Sequence, residues 1–178
     1  MNPPADPIDI LVAHNRRTLA LIIGAARHLS KPVLYTHFAL GIGTFRDSIV
    51  VALTTMGVWA DLLNDEPIRR SLTVSDAEGR LLASEIRSVP AMLSMLDAVG
   101  DQFESAIAHA RPTFGTRRTW TLPNDETAES TVLEGVLHAR DLCSYRRARA
   151  ALALQCAGAP IPRGLTILDW PIRSKTPE

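Results

Sequence analysis

The chain predicts an all-α fold, a four-helix bundle with long connections after helices two and three. Three observations predict it. Four stretches repeat apolar residues at helical spacing. Each is bounded by capping residues, glycine or proline. Only one short segment has β character. Four amphipathic helices bury their apolar stripes by packing against one another.

The first helix begins after Pro7. Ile8, Leu11, Leu19, Ile22 and Leu29 fall near the helical repeat, with Asn15 and Ala26 filling the pattern. Ser30 and Pro32 end it. Thr44 caps the second helix, with Asp47 three residues on. Phe45, Ile49, Ala52, Met56, Trp59 and Leu63 make one stripe, and Val51, Thr55, Val58 and Leu62 make another beside it. A helix apolar over more than half its circumference belongs at the centre. Residues 64–80 are mostly loop, with a stop at "NDEP" and a turn at "SDAEG".

The third helix starts near Ser84 or Ser88. It follows Leu82, Ile86, Val89, Leu93, Leu96, Gly100, Phe103 and Ile107, with Pro90 in its first turn or at a kink. Arg117 to Leu122 is β-like, but reads as too short and solitary to build a sheet. Thr127 or Ser130 caps the fourth helix, which runs to about Cys156 and stops at Gly158 and Pro160. The tail, 158–178, is read as extended, with Ile167, Leu168 and Trp170 packing back on the helices.

A chain of 178 residues reads as a single domain, 1–178, large enough for its own core. Lysine plus arginine equals aspartate plus glutamate, at 19 each. That balance argues against nucleic acid or an anionic membrane as partner. No apolar run approaches the length of a membrane span, and "MNPPADPIDI" is not a signal peptide. Cys143 and Cys156 on one helix stand about 20 Å apart, beyond disulfide reach. They read as free thiols of a cytoplasmic protein. Arginines beside Cys143 favour a thiolate, but one thiol with no positioned histidine reads as inert, and Cys156 is expected to pack.

Several stretches together resemble the DinB-like (YfiT-like) superfamily of metal-dependent four-helix-bundle proteins. "HNRRTLALI" is similar to the family's first-helix Asn-Arg-Arg region. "LGIGTFRDSIVVAL" with "VWADLL" resembles its entry to helix two. "VLHARDLCSYRRARAALALQCAGAPIP" resembles its last helix and Gly-x-Pro stop, and "LTILDW" its closing segment. The resemblance implies one divalent metal, held by a ligand from helix two and two ligands four apart on helix four. It puts those positions at Val51, Leu142 and Arg146. Valine and leucine have no donor atom, and a guanidinium is a fixed cation. Tyr145 and Arg149 replace a histidine and a glutamine of the family pattern. His138 and Arg147 keep the family's residue types.

The cleft candidates are therefore Asp47, Val51, His138, Leu142, Tyr145, Arg146 and Arg149. No residue is assigned as catalytic. No cofactor is expected, and a divalent metal only if the site has shifted to Asp47, His138 and Asp141. The expected protein is a metal-free, non-catalytic binding or structural module. It is expected to form a homodimer, because the second helix carries more apolar surface than a core helix needs. One alternative is a metal- or thiol-cofactor-dependent transferase or hydrolase with a shifted site. Another is a small-anion binder in which Arg146 and Arg149 take the anion, or Arg146 pairs Asp47.

Overall fold

The computed structural model describes residues 6–39, 43–69 and 88–165. The chain is mostly helical. Its helices are α1 (Pro7–Ala25), α2 (Lys31–Leu34), α3 (Phe45–Leu63), α4 (Val89–Ala110) and α5 (Val132–Cys156), with strands β1 (Arg117–Thr121) and β2 (Thr127–Thr131) before α5. Leu82, Ser84, Ile86, Ile167, Leu168 and Trp170 lie outside the described residues.

The caps explain the boundaries. Asp6 accepts the Ile8 N–H at 2.7 Å with Pro7 behind it, so α1 starts at the proline. Thr44 Oγ1 accepts the Asp47 N–H at 2.8 Å and opens α3. Ser88 Oγ accepts the Ala91 N–H at 3.3 Å, and Pro90 lies in the first turn of α4, where its missing N–H costs nothing. Helix α1 ends in a 3-10 turn at Ala26–His28. The first helix ends before Ser30 and Pro32, as expected, but Pro32 does not end helical structure altogether. It sits in the first turn of α2, which follows Ser30.

The all-α expectation needs a correction between α4 and α5. Arg117–Thr121 is not solitary. It pairs antiparallel with Thr127–Thr131, in the register Arg117↔Thr131, Trp120↔Ala128 and Thr121↔Thr127. The turn closes through Leu122 N–H to the Glu126 carbonyl at 2.8 Å, with Asp125 at φ 62°. Asp is among the few residues that tolerate that region. Thr127 and Ser130 therefore lie in a strand, and the cap of α5 is Thr131. Its side chain accepts the Glu134 N–H at 3.2 Å, while Glu134 accepts the Thr131 N–H at 2.7 Å. These bonds hold the Glu134 carboxyl below its usual pKa.

The four long helices each border two others: α3 lies on α4 and α5, and α1 lies on α4 and α5. Arg16 reaches Asp101 at 2.6 Å while Asp6 and Asp9 pair with Arg111, so α1 and α4 run antiparallel. Trp59 lies against Gly135 and Ala52 against Cys143, so α3 and α5 are antiparallel too. Arg147 meets Asn15 and Thr18, and the groove beyond has Ile22 facing Ala151, so α1 runs with α5. Helices α3 and α4 must then be parallel. The chain between them has to return about 28 Å, which the residues 64–88 can span. The long connection after the second helix is thus a topological requirement.

Helix α3 is buried nearly all round. Phe45, Ile49, Val50, Leu53, Met56, Ala60 and Leu63 are all closed to solvent. Its last turn also buries Asp61, whose carboxylate accepts from the Arg69 backbone N–H at 3.1 Å and from Nε at 3.0 Å. This ion pair anchors the start of the connection to α4. No described helix is long and apolar enough to cross a membrane.

The hairpin docks through Trp120. Its ring meets Trp59 edge-on at 5.3 Å, and its Nε1 donates to Ser130 Oγ at 2.8 Å. Gly135 lies under this pair. A Cβ there would stand 2.5 Å from Trp59 Cζ3 and 3.4 Å from Trp120. Gly100 is different, because its Cβ would meet only the Arg16 side chain, at 2.9 Å. A flexible arginine can move, while a tryptophan held on both faces cannot. Gly135→Ala should therefore lower the melting temperature by several degrees, overpacking of about 1–3 kcal/mol outweighing a helix-propensity gain of up to about 1 kcal/mol. Gly100→Ala should leave it unchanged or raise it. Thermal unfolding followed by circular dichroism compares the two.

Candidate functional site

Helical geometry puts His138, Leu142, Arg146 and Arg149 on one flank of α5, the flank beside α3. Tyr145, in contrast, lies outside this flank and is exposed. Asp47 is half-buried in the first turn of α3, and Val51 is half-buried one turn later. Leu142 is half-buried opposite. His138 is exposed, with its ring 5.8 Å from that of Trp59.

The seam between α3 and α5 is tight at its centre. Cys143 is fully buried, and its Sγ lies 3.4 Å from the Ala52 carbonyl, to which the thiol donates. Burial pushes the thiol pKa up to about 12. Desolvation outweighs Arg147, so the nearby arginines do not activate the thiol, in line with its reading as inert. Cys156, expected to pack, is exposed at the end of α5.

The charges sort themselves differently from the alternative in which Arg146 pairs Asp47. Asp47 accepts from Arg46 at 3.1 Å. The Arg46 side chain is only 8% exposed, and its guanidinium lies over the Tyr35 ring at 5.5 Å. Arg146 turns instead to Tyr145, an exposed ring that carries the guanidinium groups of both Arg146 and Arg149 at 5.6 Å. Arg146 Nε is buried and has no hydrogen-bond partner among the described residues. Burial first, and then Arg149, pulls the Arg146 pKa down. Arg149 also reaches the start of α3, where Gly43 at φ +73° leaves room for it, 3.3 Å from where a Cβ would be.

This arrangement does not fit a divalent metal. Val51 and Leu142 offer no donor, Arg146 brings a positive charge, and the Cys143–Ala52 contact closes the space between the helices. Asp141, one member of the shifted set, lies in an ion pair with Arg140 at 2.7 Å. Among the described residues no three His, Cys, Asp or Glu side chains converge.

Sequence reasoning missed the other flank of α5. His14, Asn15 and Thr18 are buried on α1, and Arg147 donates to Thr18 Oγ1 at 2.5 Å and to Asn15 Oδ1 at 3.3 Å. The signal was present. Three polar residues interrupt the core stripe of α1, and buried polar groups call for partners.

No family model, curated protein or solved structure matches the chain.

The two thiols should differ sharply in reactivity. In the native protein a maleimide should label Cys156 alone, giving one adduct by mass spectrometry. Unfolding in guanidinium should release Cys143 and give two. Two adducts under native conditions would mean that the α3–α5 seam opens.

Proposed function

We propose that the protein is a metal-free, non-catalytic binding module of the DinB-like four-helix-bundle type, acting as a homodimer. One observation carries the reading. Where the resemblance puts a metal, the seam between α3 and α5 is closed by the Cys143–Ala52 contact and bordered by Val51, Leu142 and Arg146. Such a seam has no ligands to activate a water and no thiol ionised near neutral pH.

The support for dimerisation comes from α5. The apolar breadth of α3, which suggested a second copy, is used inside the chain. Leu137 and Tyr145 are exposed and lie about 80° apart on the outer face of α5, away from its buried residues. An exposed apolar stripe of this kind suits a second copy of the same helix.

Elemental analysis of the purified, untagged protein should find no stoichiometric zinc, nickel, iron or manganese. Light scattering should give twice the chain mass, and Leu137→Glu should return it to one chain. Near one equivalent of metal, lost in His138→Ala, would instead mean that a shifted site exists.

A second reading, a small-anion site at Arg146 with Arg149, is favoured by the buried Arg146 Nε that lacks a protein acceptor. Inorganic phosphate should then raise the melting temperature in a saturable way, and Arg146→Gln should abolish the rise.

A further inference from the structure

Arg147 lies on the flank of α5 that faces α1, away from Arg146. Its only acceptors among the described residues are neutral: the Thr18 hydroxyl and the Asn15 amide oxygen. The Thr18 hydroxyl itself donates back to the carbonyls of His14 and Asn15, at 2.8 and 3.0 Å. No described carboxylate pairs with Arg147. Burial first, and then the like charge of Arg140, pulls its pKa down. A guanidinium keeps its proton under ordinary conditions. Among the described residues Arg147 is thus a half-buried positive charge without a counter-charge, and the hydrogen bonds to those residues come from one nitrogen.

Beside Arg147 runs an open groove of about 500 Å³. Its walls are Ile22 of α1, Ala151 and Leu152 of α5, and Ile161 and Leu165 after α5. Leu152 is 43% exposed and Ile161 41%, so this apolar surface faces solvent. From Arg147 to Gln155 the groove follows α5 for about 12 Å. Its volume lies within the usual span of small-ligand sites, about 300–1,000 Å³.

We propose that this groove binds an amphipathic carboxylate, a medium-chain fatty-acid-like anion whose head group pairs with Arg147 and whose chain covers Ile22, Leu152 and Ile161. Both halves of the ligand follow from the site. A carboxylate accepts two guanidinium N–H bonds side by side and neutralises the charge. An apolar chain removes the exposed walls from water. Inorganic phosphate would leave the walls wet, and a neutral chain would leave the guanidinium uncompensated. The proposal goes beyond the module reading and does not rest on the α3–α5 seam.

Calorimetric titration of the full chain tests it, with decanoate as the probe and decanol and inorganic phosphate for comparison. Decanoate should bind one per chain, with decanol and phosphate each weaker by about tenfold or more. Arg147→Met should weaken decanoate by at least about tenfold. Leu152→Glu, at an exposed position with Arg147 intact, should do the same. Arg146→Gln should leave decanoate binding unchanged, and far-UV circular dichroism should show each variant folded. Equal binding of decanol, uptake of many decanoates per chain, or no saturable binding would overturn the proposal. So would binding that splits a dimer, which would assign the groove to a second copy.

Discussion

Helix α3 sets the constraint that the rest of the structure meets. Its apolar residues run round more than half of its surface, so no single neighbour can cover it. Helices α4 and α5 take two sides, and the hairpin brings Trp120 against Trp59 near its C-terminal end. The parallel course of α3 and α4 requires the long return between them. The molecule is organised outward from one helix rather than as four equivalent ones.

Helix α5 meets that demand with small side chains. Gly135, Ala139, Cys143, Ala150 and Ala153 make up most of its buried face. Small residues let two backbones approach, and dispersion at short range replaces the bulk of a leucine seam. The same closeness removes the volume that a metal and its water would need. Large polar residues are then forced to the two flanks of α5. On one flank Arg146 and Arg149 stack on Tyr145. On the other they reach α1 as Arg147.

The sequence made much of this legible. Thr44, Ser88 with Pro90, and the stops at Gly158 and Pro160 are local chemistry, and the structure follows them. The hairpin was harder, because pairing is non-local. Thr127–Thr131 reads equally as a helix entry until Arg117–Thr121 is known to lie beside it. Pro32 follows the end of the first helix but also opens α2, because proline is tolerated in a first turn. At the site, spacing placed Val51, Leu142 and Arg146 on facing helices. It could not say that Asp47 belongs to Arg46, since that depends on rotamers. The inert reading of Cys143 did follow from residue type, since no histidine is positioned beside it. Its cause, burial outweighing the adjacent arginines, needs the fold.

The Asp61–Arg69 pair limits how this chain can change. Asp61 is closed to solvent among the apolar residues of the last turns of α3, near the negative end of the helix dipole. Loss of Arg69 alone would strand a buried anion, and loss of Asp61 alone would free the segment that leads toward α4. Leaving one buried charge of such a pair without its partner is costly, whereas replacing both partners together by apolar groups is often neutral. The two positions therefore form one unit of mutational inheritance. Any route to a fully apolar α3 passes through an intermediate less stable than either end.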